Sequence, residues 1–598
     1  MIAPKKITLT IDGKLCEGDA GQTILEIARN NGVAIPTLCY MKHLTPWGGC
    51  RLCIVEIEGS PKIVPSCTTP AMEGSKVNTK TDRLVSLRKA TLELLFSERN
   101  HFCPMCQLNK GDCGLQHQGL AHGITGIRYP YLYPAMPIDV TAKYFGMDQN
   151  RCILCTRCVR TCDEQEGVHT LDVAKRGIKN QIVVDMNGTF GESTTCTQCG
   201  ACVANCPTGT LFDKANAFRG QLASCQQVLT TCTECSVGCG LKVFTKESRV
   251  VSVWGDPDSP VNKGHLCVKG RYQTWADPRE RIITPLIKGK PATWKEALAA
   301  VRKASDTAKK AERALLVAPR VTNETAQTIA KLAGKIGRIA SYVGSNEAAF
   351  VAKPEHSANA MVKLPDADAI IIIGGQPSRD NGVVAATIRT TVRKRGAKLF
   401  IFLAPKTNLD QYADVIAPTP GQEESFWNDV AAKLAGFQRP AVVCGPDVTT
   451  ADGKAVLARI AKMLHGRSPL MVGVPVSANA MSLACSGIVP VENVGAWLAE
   501  KPVKFLHIVA SDAPDGGARL LEDAAVAAQL KKAGCVVVQA SYKSALTDAA
   551  TVVLPAAIWC EKTGTITNFE GRQLPVRPVL AVAGEAREDG TILESVFA

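Results

Sequence analysis

Nineteen of the 25 cysteines fall into five groups, all before residue 268. The groups are Cys39, Cys50, Cys53 and Cys67; Cys103, Cys106 and Cys113; Cys152, Cys155, Cys158 and Cys162; Cys196, Cys199, Cys202 and Cys206; and Cys232, Cys235, Cys239 and Cys267. The N-terminal residues carry no apolar signal core and no twin arginine, and no apolar run reaches 18 residues. A cytoplasmic, thiol-reducing setting is therefore expected. There, clustered cysteines read as metal ligands and not as disulfides.

The two middle groups are the most specific. Each reads C-x2-C-x2-C-x3-C, and Pro207 follows the second. Three thiolates on one tight loop occupy three corners of a cubic [4Fe–4S] cluster, while the fourth cysteine lies on the following helix and reaches the other cluster. The expected ligand sets are thus Cys152, Cys155, Cys158 and Cys206, and Cys196, Cys199, Cys202 and Cys162. Zinc needs only two paired thiols per side, so the third cysteine of each run argues against it. The 33 residues between the runs include Ile182-Val183-Val184-Asp185, an expected added strand.

The first group follows a hairpin signal: residues 6–11 alternate, Asp12-Gly13 turns, and a short strand runs to Cys16. Thr23 to Asn31 reads as a helix stopped by Gly32. The cysteines are spaced C-x10-C-x2-C-x13-C, with Gly48 and Gly49 before the central pair, where they let backbone N–H groups approach sulfur. This resembles the [2Fe–2S] domain of plant-type ferredoxins, in the variant found in the large electron-transfer subunit of respiratory complex I and its relatives. A β-grasp domain is implied; a zinc knuckle is the alternative.

Residues 81–100 read as a helix with Leu84, Leu87, Leu92 and Leu95 on one side, leading to His101 and the second group. In the resembled family a histidine and three cysteines hold a [4Fe–4S] cluster here, which implies His101, Cys103, Cys106 and Cys113, with His117 and His122 as fallbacks. One residue separates His101 from Cys103, as in the diaphorase subunit of soluble NAD-reducing hydrogenases; the complex I pattern has three. The six-residue gap between Cys106 and Cys113 is one longer than that family's pattern. The fifth group, C-x2-C-x3-C-x27-C, is followed by Val268-Lys269-Gly270-Arg271. It resembles the cluster domain that opens molybdopterin oxidoreductases such as formate dehydrogenase, where the lysine matching Lys269 lies between cluster and pterin. Cys225 is not expected to be a ligand.

Beyond residue 290, Ala-rich helical stretches alternate with short apolar runs at 314–318, 369–373, 399–403, 441–444, 470–474, 505–509 and 536–539. That alternation predicts α/β structure with mainly parallel sheets. Gly374-Gly375 after one such run either admits a nucleotide phosphate or makes a tight turn. The segment from Glu561 to Arg572 matches the late segment of the molybdopterin family. A working molybdenum site is not expected: no cysteine lies between Cys267 and Cys444, and about 330 residues follow the cluster domain, fewer than the family uses to enclose two pterin dinucleotides. An Asp metal ligand is not excluded by counting cysteines. The region reads as a degenerate scaffold that docks partners, with Cys444, Cys485, Cys535 and Cys560 as small core residues.

The expected fold class is multidomain α+β and α/β. It comprises a β-grasp [2Fe–2S] ferredoxin domain (1–80), a [4Fe–4S] domain with one histidine and three cysteine ligands (81–140), a 2×[4Fe–4S] ferredoxin domain (141–222), a molybdopterin-oxidoreductase-type [4Fe–4S] domain (223–285) and a truncated molybdopterin-oxidoreductase-like region (286–598). One [2Fe–2S] and four [4Fe–4S] clusters are expected, with no molybdenum or pterin. No G-x-G-x-x-G nicotinamide fingerprint and no flavin motif is present, so no flavin is expected on this chain and no catalytic residue is assigned. The formal charge of +14 shrinks to roughly +5 once thiolate-bound clusters are counted, which argues against nucleic acid as a partner.

The resemblance implies an electron relay. A partner flavoprotein of NADH-dehydrogenase type, carrying FMN, would exchange hydride with NAD(H), and this chain would pass single electrons to or from a catalytic subunit such as a hydrogenase or formate dehydrogenase. A small thioredoxin-like [2Fe–2S] subunit and ferredoxin are further implied partners. The alternatives are the peripheral arm of membrane-bound complex I, without insertion of this chain, and a catalytic molybdenum or tungsten subunit.

Overall fold

The computed structural model describes residues 5–597 except 109–110, 276, 343–356, 418–423, 489, 492 and 515–516. The chain divides into two units, Met1–Cys225 and Gln226–Ala598.

The first unit opens with β1 (Lys6–Ile11), β2 (Lys14–Asp19), α1 (Ile24–Asn30), β3 (Ile54–Ile57), β4 (Ile63–Pro65) and β5 (Lys76–Asn78). They form one sheet in the order β2-β1-β5-β3-β4, in which β1 and β5 run parallel and the other pairs antiparallel. The alternation in β1 sends Ile7, Leu9 and Ile11 to one face, where they meet Ile24, Leu25, Ile27 and Ala28 of α1. Thr23 and Glu26 form a reciprocal capping box that fixes the start of α1, and Gly32 follows with φ of 73°.

Helix α2 (Asp82–Glu98) forms as expected, but its buried side differs. Leu84 and Leu92 are buried, Leu87 is exposed, and the position between them is taken by Arg88. Arg88 donates through Nε to the Leu52 carbonyl (2.9 Å), through Nη1 to that of Thr79 (2.7 Å) and through Nη2 to that of Ile54 (2.7 Å). An i, i+4, i+8 stripe selects Arg88 over Leu87, and three carbonyl acceptors make its burial tolerable.

The remainder of this unit carries a three-stranded sheet of Ile138–Asp139, Phe145–Asp148 and Leu211–Asp213, and the antiparallel pair Leu171–Ala174 and Gln181–Val184. The latter includes the added strand expected between the cysteine runs.

In the second unit a three-stranded antiparallel sheet (Gln226–Thr231, Gly240–Lys246, Arg249–Gly255) precedes two larger sheets. The five-stranded sheet is all parallel, with Ala369–Ile373 at its centre. The seven-stranded sheet has a parallel core around Phe505–Ser511 and two short antiparallel strands at one edge. All seven apolar runs form strands, and all but the edge strand Leu470–Gly473 are buried on both faces along most of their length, as a parallel sheet requires. Cys444, Cys535 and Cys560 are buried, as expected. Cys485 corrects the expectation: it is exposed, because its short helix turns Met481, Ser482 and Leu483 inward.

Candidate iron–sulfur sites

The two C-x2-C-x2-C-x3-C runs fold alike. In the first, Leu154 and Thr156 adopt φ of 50° and 55°; in the second, Gln198 and Gly200 adopt 56° and 69°. These left-handed residues fall at the same two places in each run and coil the backbone so that each amide two residues past a cysteine turns back to its sulfur. Leu154 N–H lies 3.3 Å from Cys152 Sγ. The amides of Arg157, Gln198 and Ala201 face Cys155, Cys196 and Cys199 in the same way. Such a ring of N–H groups is a cradle for negative charge. Non-glycine residues held in this region cost about 1 kcal/mol or more each.

The fourth cysteines cross over. Cys152, Cys155, Cys158 and Cys206 line one small cavity. Cys162, Cys196, Cys199 and Cys202 line another. Burial pushes the thiols up, to about 12 for Cys152 and Cys196 and about 11 for Cys155. Thiols buried in this way stay protonated unless a cation sits among them. Among the described residues no three His, Cys, Asp or Glu side chains close on a single-ion point.

The first group also converges. Cys39 shares hydrogen bonds with Cys50 and Cys67, and Cys53 with Cys67. The shared bonds drive Cys39 well below the usual thiol range and push Cys50 and Cys67 above it. The amides of Cys50 and Gly49 face Cys39, as expected of the glycine pair. Gly48 has φ of 68°, and a Cβ on Gly49 would lie 2.2 Å from the Trp47 indole nitrogen, so neither position accepts a side chain without strain.

Cys103 and Cys106 both act electrostatically on Cys113, whose thiol burial raises to about 11. Cys103 Sγ lies 3.2 Å from the His101 carbonyl. The His101 ring is buried against Phe96, and burial lowers it to about 4, keeping it neutral. Its Nε2 is 3.1 Å from the Leu95 carbonyl. With Nε2–H donating there, Nδ1 is left as a lone-pair donor, the arrangement typical of a metal-bound histidine. His117 is exposed and His122 Nδ1 faces the Gln118 carbonyl of its own helix, so neither fallback is placed as well. Cys106 abuts the second run: a Cβ on Gly209 would lie 2.2 Å from its sulfur.

In the second unit Cys232, Cys235 and Cys267 all act electrostatically on Cys239. A Cβ on Gly382 would lie 2.6 Å from Cys267 Cβ, so glycine admits the close packing there, while Gly270 lies beside Cys232 Sγ. The amides of Glu234 and Val237 face Cys232 and Cys235. Lys269 also acts on Cys235, lowering it against the effect of burial. Cys225 lies outside the group, its Sγ 3.3 Å from the Gln221 carbonyl. The donor chemistry, burial and amide cradles of all five groups fit iron–sulfur clusters.

The Gly374-Gly375 turn does not fit a nucleotide phosphate. Gly375 N–H donates to Asp447 Oδ2 (2.8 Å), and a Cβ on Gly374 would lie 2.6 Å from that of Asp447. A carboxylate already fills the place and would repel an anion.

Sequence reasoning missed the basic residues around these sites. Arg157 and Arg160 lie on the short helix Arg157–Arg160 and bind carbonyls of the first cysteine loop. Arg320 pairs with Glu234 (2.9 Å) between Cys232 and Cys235. For Arg157 and Arg160 the only signal in the sequence is position beside cysteines of a cluster run, and Arg320, far from any cluster cysteine, has none.

Family models match along the whole length. They are the 2Fe-2S iron-sulfur cluster binding domain over residues 4–82, the NADH-ubiquinone oxidoreductase-G iron-sulfur binding region over 88–128, and the ferredoxin-like domain of NADH-quinone oxidoreductase subunit 3 over 143–212. The molybdopterin oxidoreductase Fe4S4 domain follows over 225–274, and molybdopterin oxidoreductase over 281–598. These define an iron–sulfur oxidoreductase chain with one 2Fe–2S and several 4Fe–4S binding domains. The chain belongs to the molybdopterin oxidoreductase family, in the branch that includes the large iron–sulfur subunits of NADH-quinone and NADH-ubiquinone oxidoreductases. It is 27% identical to the NADPH-Fe(3+) oxidoreductase subunit alpha of Geobacter sulfurreducens, over 99% of this chain and 81% of that one. It is 26% identical to the mitochondrial NADH-ubiquinone oxidoreductase 78 kDa subunit of Candida albicans, over 99% and 82%. A solved chain of an NAD+-reducing [NiFe]-hydrogenase is 37% identical over 36% of this chain and 91% of its own, with a TM-score of 0.34. Among the described residues no helix is long and apolar enough to cross a membrane.

Proposed function

We propose that this chain is the electron-relay subunit of a soluble, multi-subunit NAD(P)(H)-linked oxidoreductase, carrying one [2Fe–2S] and four [4Fe–4S] clusters and no molybdenum or pterin. Clusters held at these sites supply one-electron redox steps. The protein contributes the amide cradles and an apolar path between sites. The observation that carries the reading is one buried cluster of side chains in the first unit. Cys39, Cys50, Cys113 and Cys155, from three different sites, pack there with Leu38, Leu52, Leu92, Leu115 and Ile153. A continuous, water-poor medium between redox sites suits electron transfer and has no evident use in a zinc scaffold. The one-residue gap between His101 and Cys103 favours the soluble setting, and the relatives' names favour NADPH or NADH as ultimate partner through a flavoprotein.

Anaerobic purification is expected to give about eighteen iron per chain and no molybdenum or tungsten. NAD(P)H alone should leave the chain oxidised, and adding its co-purifying flavoprotein should reduce it. A colourless, iron-poor protein after reconstitution would end the proposal. One molybdenum or tungsten per chain would favour the catalytic alternative. His101→Cys should keep that cluster but lower its midpoint potential, since a fourth thiolate adds negative charge. All five EPR signals unchanged would show that His101 is not a ligand.

A further inference from the structure

We infer that Arg157 is a counter-ion shared by two redox centres, the one at Cys39, Cys50, Cys53 and Cys67 and the one at Cys152, Cys155, Cys158 and Cys206, and that it sets both their potentials. The inference rests on the cluster assignment proposed above.

Arg157 Nη2 donates to the carbonyl of Tyr40, next to Cys39, at 2.8 Å. Its Nη1 is 3.5 Å from the carbonyl of Asn205, next to Cys206. Its Nε is buried without a protein hydrogen-bond partner. Among the described residues no carboxylate reaches ion-pair distance of it. The groups in its field are four of the expected ligand cysteines, Cys155 and Cys206 of one site and Cys39 and Cys50 of the other, which are thiolates once they bind iron. A half-buried guanidinium set between those sulfurs is poised to favour the added electron at either centre.

Arg160, one turn further on, is the mechanical partner. Its Nη2 donates to the carbonyls of Cys39 (2.6 Å) and Cys155 (3.2 Å), and its Nη1 to that of Thr45 (2.7 Å). One side chain thus pins the two cysteine loops together and holds Arg157 between them. The pinning leaves Arg157 free to act by charge.

The test is potentiometric EPR on the full, iron-loaded chain. Arg157→Gln should lower the reduction equilibrium constant of both centres about tenfold, which is about 59 mV for a one-electron couple, with the other three centres unmoved. Arg157→Lys keeps the charge and should hold both centres within about twofold of wild type. Should the Gln variant fail to retain iron at either site, the Lys variant decides alone: potentials held support the inference, and potentials that fall tenfold overturn it. A shift confined to one centre overturns the shared role, as does no shift at full iron content. An iron-poor wild type overturns the cluster assignment instead, and this inference with it.

Discussion

Replacing Cys206 with alanine is expected to delete the redox centre of Cys152, Cys155 and Cys158, and to spare that of Cys196, Cys199 and Cys202, its neighbours in sequence. The cavity shared by Cys206 with the first run dictates this outcome. Cys162→Ala should do the converse, because its sulfur faces the second cavity. Iron should fall from about eighteen to about fourteen per chain, or by about one where a three-iron remnant survives. EPR checks the pairing: Cys206→Ala and Cys152→Ala should remove the same signal, and Cys162→Ala and Cys196→Ala the other. If Cys206→Ala instead matched Cys196→Ala, each run would hold its own cluster, and the crossed arrangement would be wrong.

The crossed lining of the two cavities agrees with what the spacing predicts, and the reason is geometric. A C-x2-C-x2-C loop has room for three sulfurs around one cube, and the x3 step carries the fourth onto a helix that points away. The apolar strands were legible because runs of four or five mostly apolar residues, bounded by turns and alternating with Ala-rich helical stretches, suit parallel strands. Short strands such as Arg338–Ser341 and Val415–Ala417 were missed, since a run of three or four residues is too short to show a period. Leu87 was assigned to the buried face because hydropathy favours leucine over arginine. What reverses the choice is three carbonyls that α2 meets only after folding, two of them more than thirty residues away in sequence.

Arg160 is the clearer case. Its acceptor at Cys39 lies 121 residues upstream, so no local pattern foretells it. The sequence therefore displays the ligands, which are local, and hides the charges that tune and clamp them, which are not. The Gly374-Gly375 turn makes the same point in reverse. Two glycines are visible, and the Asp447 carboxylate that decides their use is some seventy residues downstream.

The largest stability effect is expected at Lys562. It is fully buried in the second unit, with Nζ at 2.9 Å from Asp512 Oδ1, 3.3 Å from Asp589 Oδ2 and 3.3 Å from the Arg320 carbonyl, and it also bonds Ser511 Oγ. Arg320 lies 3.6 Å from Asp512 and continues the chain of charges to Glu234, inside the Cys232–Cys235 loop. Burial alone would lower the Lys562 ammonium, but Asp512 and Asp589 reverse this and hold it above its ordinary value. Burial would likewise raise the Asp512 carboxyl, yet Lys562 and Arg320 drive it below the usual carboxylate range. Lys562→Met leaves the buried Asp589 carboxylate without its cation and Asp512 with Arg320 alone, and should cost about 3–5 kcal/mol. In calorimetry the transition of the second unit should fall by roughly 5 °C.

The pH dependence follows from the two directions. A depressed carboxylate stabilises above its unfolded pKa of about 3.9 and loses that contribution as pH falls through its folded value. A raised lysine stabilises below its unfolded pKa of about 10.4 and loses its contribution as pH rises through its folded value. The gap between wild type and Lys562→Met should therefore stay constant between about pH 5 and pH 9. A gap that closed within that window would mean that the lysine is neutral in the folded chain. Glu234 ties this network to the fifth cysteine group, so the variant should also release iron from that site to a chelator faster than wild type, while the four sites of the first unit keep theirs.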